Sequence, residues 1–399
     1  MNIYPESAMR RQFLKQPIFW LPVVGLILLF LAAAGFTVQN VAAAPNPQRE
    51  PPSDESCLFC HQQEGMTIDI GEQPLSLTVS GDHFSTSVHG VEGVACVDCH
   101  TNIRTVPHPE IIADNSREFT LTFYETCRQC HSEQYEKTFD SVHQTAIVDG
   151  NLNAAVCSDC HDPHSQPRIT DETTGVILSD ARQDIPQTCA QCHGAVFEAY
   201  AASVHGATLF TEGNADVPTC TDCHGVHSIE DPNTNTFHNS IPSVCADCHT
   251  DEVMMSKYGL NTNVLDTYVA DFHGTTVKLF EEQFPDQPTN KAVCTDCHGF
   301  HDIPKVDDPA AGIAHKSNLL VKCQQCHPDA TTESFTASWM SHYEPSPETW
   351  PLVYYVNLFY KFFIPTVLGG MIVFVLSDIY RRFIVDKRHK KNGKDASTK

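Results

Sequence analysis

The chain has 399 residues, 18 of them cysteines, and 49 acidic against 25 basic side chains, for a formal charge of −24. Residues 45–350 hold 45 of the acidic and 13 of the basic residues, a difference of −32. That sign excludes nucleic acid as a partner, since phosphate binding needs basic patches, and it suits a basic soluble protein met through complementary fields.

Reading from the amino terminus, Arg10, Arg11 and Lys15 precede an apolar run, PIFWLPVVGLILLFLAAAGF, over residues 17–36. Small residues at Val41 and Ala43 come after it. This is the pattern of a signal peptide cut near Ala43, and a run of about 20 residues is also long enough to span a bilayer uncleaved. Residues 1–44 are therefore expected to be a signal peptide or an N-terminal anchor, and in either case the segment beyond residue 44 is exported.

Every cysteine then falls in a CxxCH pentad. The nine are Cys57–Cys60–His61, Cys96–Cys99–His100, Cys127–Cys130–His131, Cys157–Cys160–His161, Cys189–Cys192–His193, Cys220–Cys223–His224, Cys245–Cys248–His249, Cys294–Cys297–His298 and Cys323–Cys326–His327. Two thiols at this spacing add to the two vinyl groups of one porphyrin, and the adjacent histidine meets the iron from the same side. Zinc sites pair CxxC units without a histidine at every fifth position, a thioredoxin-like motif occurs once, and structural disulfides are irregularly spaced. Nine of nine pentads with no cysteine left over imply nine covalently bound haem c groups.

Nine haems in the 286 residues from 57 to 342 leave about one per 32 residues, too dense for an ordinary polypeptide core. The expected fold is mainly α with high loop content, haem-packed, without a substantial sheet, and closed by a C-terminal transmembrane helix.

Of 22 histidines, nine belong to pentads and His389 lies in a basic tail, leaving twelve. One class ends a predicted helix: His89, His143, His205, His273 and His342. In AVFEAYAASVHG, Phe197, Tyr200 and Val204 would form one apolar stripe, with Gly206 ending the helix. A second class comes soon after a pentad: His164, His227 and His301 three residues on, and His108 eight on. A residue three after the pentad histidine stays on that side of its own haem, so it would reach a neighbouring one. The two classes supply nine distal candidates for nine irons. They alternate with the pentads so that dihaem modules begin near residues 57, 127, 189 and 245, with a half module at 323. His83, His238 and His315 are surplus and suit propionate contacts or solvent; Met254, Met255 and Met340 are the other soft ligands available. No catalytic residue is expected.

At the far end, residues 349–382 read as an interfacial stretch and membrane span, with Trp350, Tyr354, Tyr355 and Tyr360 at the outer interface. Arg381, Arg382, Lys387, Arg388, Lys390 and Lys391 would hold residues 383–399 in the cytoplasm. The haem domain, 45–348, would then face the periplasm or exterior of the cytoplasmic membrane.

The pentads and their alternation resemble the multihaem c-type cytochromes built from doubled CxxCH modules, over residues 57 to about 342. The resemblance implies electron transport in a respiratory or photosynthetic redox complex. The stretch from Trp350 to Arg382 is similar to the lead-in of multihaem chains joined to a membrane cytochrome b. A quinol-oxidising cytochrome b-type subunit is therefore the expected membrane partner, and a basic soluble redox protein the expected outer one. The alternative is a multihaem oxidoreductase of the nitrite, hydroxylamine or tetrathionate type. It would need one open iron, often marked by CxxCK, which does not occur here.

Overall fold

The computed structural model describes residues 51–71, 73–108, 112–333, 342, 345–348 and 351–385. The N-terminal apolar run, Trp350, Met340, the approach to His342 and the tail beyond Val385 lie outside the described residues. The chain is mostly helical, as expected, with one two-stranded antiparallel hairpin among the described residues, Thr67–Ile70 against Gln73–Ser76, paired Ile68 to Leu75.

Many of the short helices carry one pentad or one distal histidine. The later pentad of each module forms a single turn: Cys96–Cys99, Cys157–Cys160, Cys220–His224 and Cys294–His298. The third pentad residue, always aspartate here, turns back to accept from the backbone N–H that precedes the pentad. Ala95, Val156, Thr219 and Val293 donate to Asp98, Asp159, Asp222 and Asp296 at 2.6–2.8 Å. This satisfies one of the donors that a helix start leaves unpaired.

The distal histidines His89, His143, His205 and His273 do not end helices; each opens one. They are the second residues of Val88–Val91, Val142–Val148, Val204–Glu212 and Phe272–Gln283, capped by Ser87, Ser141, Ser203 and Asp271. The three serines are buried. Ser203 Oγ donates to Tyr200 O at 2.6 Å and accepts from Gly206 N–H at 3.1 Å, so one hydroxyl closes a first helix, Ser179–Ala202, and starts a second, Val204–Glu212.

The predicted apolar stripe therefore breaks at Ser203. Phe197 and Tyr200 stay on the first helix and pack on Phe210 of the second. Gly206 lies inside the second helix and is needed for close approach. A Cβ there would sit 2.1 Å from Tyr200 O, and Gly90 and Gly274 repeat the relation at 2.0 Å. The second module has Gln144 at this place, and there a 3-10 turn, Thr138–Asp140, replaces the helix before the kink.

The polypeptide core is small. Its one cluster among the described residues joins Ile241, Val277 and Val293, with Phe237, Cys245 and Cys294 against it. At the far end Pro351–Tyr380 is one helix of 30 residues, about 45 Å long, and Pro351–Phe383 is the one stretch among the described residues long and apolar enough to cross a bilayer.

Candidate functional site

Each pentad histidine faces one further histidine. The pairs are His61–His108, His89–His131, His100–His164, His143–His193, His161–His227, His205–His249, His224–His301, His273–His327 and His298–His342, with ring centroids 6.0–6.3 Å apart. A metal held at about 2 Å by one nitrogen of each ring fits midway at this separation. All nine distal candidates from the sequence are used once, and His108, the weakest by spacing, is paired like the rest.

The pairing has a rule that spacing did not give. His89, His143, His205 and His273 reach forward to the first pentad of the next module. His164, His227, His301 and His342 reach back to the second pentad of the module before. Only His61–His108 lies within one module. Ring planes separate the same two classes: the forward pairs are inclined by 37–67°. The backward pairs and His61–His108 are inclined by 6–31°.

Main-chain bonds brace three junctions at the same points. Val88, Val142 and Val204 N–H donate to Gln166, Ile229 and Ile303 O at 2.8–2.9 Å, each acceptor two residues past a backward-reaching histidine. Tyr200 and Tyr268 hydroxyls donate to Pro218 and Ala292 O at 2.7 and 2.8 Å, tying a position just before the kink to the entrance of the next pentad.

The environment favours neutral imidazole, the form that ligates metal. Burial, reinforced by His249, pushes His205 down to about 4; burial, with His342 and His249 beside it, does the same to His298. Burial first, and neighbouring histidines second, also lower His100, His143 and His224. Some rings are oriented through Nδ1: His61 meets Leu77 O at 2.9 Å and His89 meets Pro163 O at 3.2 Å.

None of the cysteines forms a disulfide. Within a module the leading sulfurs lie beside one another: Cys57 by Cys96, Cys127 by Cys157, Cys189 by Cys220, and Cys245 by Cys294. Across junctions Cys99, Cys160, Cys223 and Cys297 lie within electrostatic reach of Cys127, Cys189, Cys245 and Cys323. Consecutive pentads thus adjoin along the whole sequence.

Paired thiols beside a two-imidazole site fit covalent haem and no ordinary protein metal site; among the described residues no group of three or more His, Cys, Asp or Glu could hold a metal ion. Residues 82–148 match the cytochrome c552 family, and residues 150–197 match the doubled CXXCH motif family. The chain is a multihaem c-type cytochrome. Covalent haem c and a part in electron transfer come with that identification. The cytochrome is also 25% identical over 231 residues to the multiheme cytochrome MtrA of Shewanella baltica, an alignment covering 51% of this chain and 66% of that relative. No solved structure matches it.

The aspartates inside the later pentads carry partners that the sequence reading missed. Arg117 Nη1 pairs with Asp159 at 2.8 Å and its guanidinium also donates to Leu152 and Ala154 O. Arg182 pairs with Asp222 at 2.7 Å and donates to Val217 O at 2.9 Å. His238, one of the surplus histidines, stands 4.0 Å from Asp296. His238 and Arg182 both lie seven residues before the first pentad of their modules, so a shared offset was the available signal. His315 contacts Asp307 O at 3.1 Å. His83 lines a cavity of about 280 Å³ with Thr78, Asp162 and His164. Met254 and Met255 lie on the short helix Glu252–Ser256, with Met255 buried.

Arg117→Met should loosen the 152–161 attachment turn by about 2 kcal/mol, the worth of charge-assisted hydrogen bonds to a shielded carboxylate. Hydrogen exchange there should quicken about 30-fold, while exchange around Cys294–His298 stays unchanged.

Proposed function

We propose that this cytochrome is a membrane-tethered electron conduit carrying nine bis-histidine haems in sequence order. The observation that carries this reading is the set of nine histidine pairs, one for each pentad. When bound, each haem supplies a one-electron iron couple. The cysteines would anchor the groups, the paired imidazoles would close both axial positions, and contact between consecutive pentads would keep neighbouring groups close. An iron closed on both sides gives substrate nowhere to bind, which favours conduction over nitrite, hydroxylamine or tetrathionate chemistry. The His61–His108 pair bears most directly on this choice, since a vacancy at His108 would have opened a site.

The Pro351–Phe383 stretch supports tethering in the cytoplasmic membrane, with the haem domain outside and the tail inside. Arg381 and Arg382 come directly after the helix and pair with Asp378, a charged turn suited to an inner interface. Gly369 and Gly370 have no neighbour within 4 Å of an added Cβ and suit close approach by another helix. In this reading that helix belongs to a cytochrome b-type, quinol-oxidising subunit, and a basic soluble redox protein meets the acidic outer domain.

Mild-detergent purification from native membranes tests both halves. The oxidised chain should show nine low-spin haems and should bring a b-type subunit with it. A stoichiometric high-spin haem, or full quinol activity from the chain alone, would overturn the corresponding half.

A further inference from the structure

The forward-reaching histidines share one architecture, a cap residue with the ring two positions later. Three caps are serines whose hydroxyls bond only to backbone. The fourth is Asp271, which accepts from His273 backbone N–H at 3.1 Å as a cap should. A carboxylate brings something that a serine cannot. Asp271 Oδ1 stands 3.5 Å from His273 Nδ1, with the two side chains only 14% and 20% exposed. That nitrogen is buried and has no hydrogen-bond partner. The contrast is with His89, whose Nδ1 faces the neutral carbonyl of Pro163 at 3.2 Å.

This inference rests on the bis-histidine reading. If His273 Nε2 faces the iron, Nδ1 keeps its proton, and a negative charge beside that N–H makes the imidazole a stronger donor. A stronger axial donor favours the oxidised iron and lowers its reduction potential. We propose that Asp271 is a tuning residue that lowers the potential of the haem carried on Cys323 and Cys326, below those whose ligands come after a serine cap. This haem is the one nearest the membrane helix in sequence. A low potential there makes electron flow from the membrane end toward the outer modules the downhill direction.

The experiment is a redox titration of the full-length protein monitored by electron paramagnetic resonance. Asp271→Ser installs the sister residue, and Asp271→Asn keeps a capping side chain while removing the charge. In both variants one haem should rise in potential more than any other. It should be the component lost when Cys323 and Cys326 are both changed to alanine. No rise in either variant, or a uniform rise across all haems, would overturn the proposal. The underlying ligand assignment has its own test. His273→Ala should make the Cys323–Cys326 haem high-spin, and a low-spin result would sink the assignment rather than the tuning.

Discussion

Replacing His227 with alanine should leave the haem of its own pentad, on Cys220 and Cys223, low-spin and turn the haem on Cys157 and Cys160 high-spin. His227 lies 6.3 Å from His161, whereas His224 is paired with His301 at 6.0 Å. The effect is qualitative, because one iron loses one of its two protein ligands and gains an open position. Two checks identify the affected haem. The high-spin signal should disappear when Cys157 and Cys160 are also changed to alanine, and it should persist when Cys220 and Cys223 are changed instead. Persistence of nine low-spin haems in His227→Ala would refute the cross-module pairing. Electron transfer along the chain should fall at the same point, since the altered site lies between its neighbours on both sides.

Gly206→Ala should be severely destabilising for the addition of a single methyl group. The new Cβ would meet Tyr200 O at 2.1 Å, Tyr200 C at 2.7 Å and Ala201 Cα at 2.8 Å, all backbone atoms that cannot rotate away. Opening the kink would break the Ser203 bridge and pull Val204 N–H from Ile303 O. An overpacked site of this kind costs about 3 kcal/mol or more. His205 is the neighbouring residue, so strain should appear as a high-spin fraction at the haem on Cys245 and Cys248, together with a lower Tm. Gly194→Ala is the control, because its Cβ would meet nothing within 4 Å. Helix propensity there favours alanine, and that variant should be neutral or slightly stabilising.

Much of the site was legible in the sequence because haem attachment is local. Five consecutive residues hold two sulfurs and one nitrogen in fixed relation, so Cys57 to His327 could be read without any fold. The distal set was legible by counting. Its pairing was not, since His89 and His131 are 42 residues apart, and nothing local says which way a histidine reaches. The misplaced helix ends have a clearer cause. In YAASVHG the apolar spacing continues through Ser203 while the backbone does not. Reading Ser203 as a cap would have put His205 at a helix start, because the serine hydroxyl competes for the backbone at that point. The Arg117 and Arg182 clamps were hidden for a different reason: their aspartates sit inside the pentads, at a position that haem attachment leaves unspecified.

The modules read from the sequence also have less physical meaning than their regular spacing suggests. Each junction is crossed once forward and once backward by a histidine, and the doubled-motif match at residues 150–197 itself straddles one, taking in Cys157 and Cys189. Stability and ligation are therefore shared between neighbours, much as in a solenoid.

The inclination of the ring planes has a magnetic consequence. Two parallel imidazoles on one iron lift the near-degeneracy of its π-symmetry d orbitals, whereas crossed imidazoles preserve it. In the bis-histidine reading, the three pairs inclined by 6–16° call for rhombic ferric signals, and the two at 62° and 67° for strongly anisotropic ones. Both strongly crossed pairs are forward-reaching, so in that reading the direction in which a histidine reaches would leave its mark on the magnetism of the iron it faces.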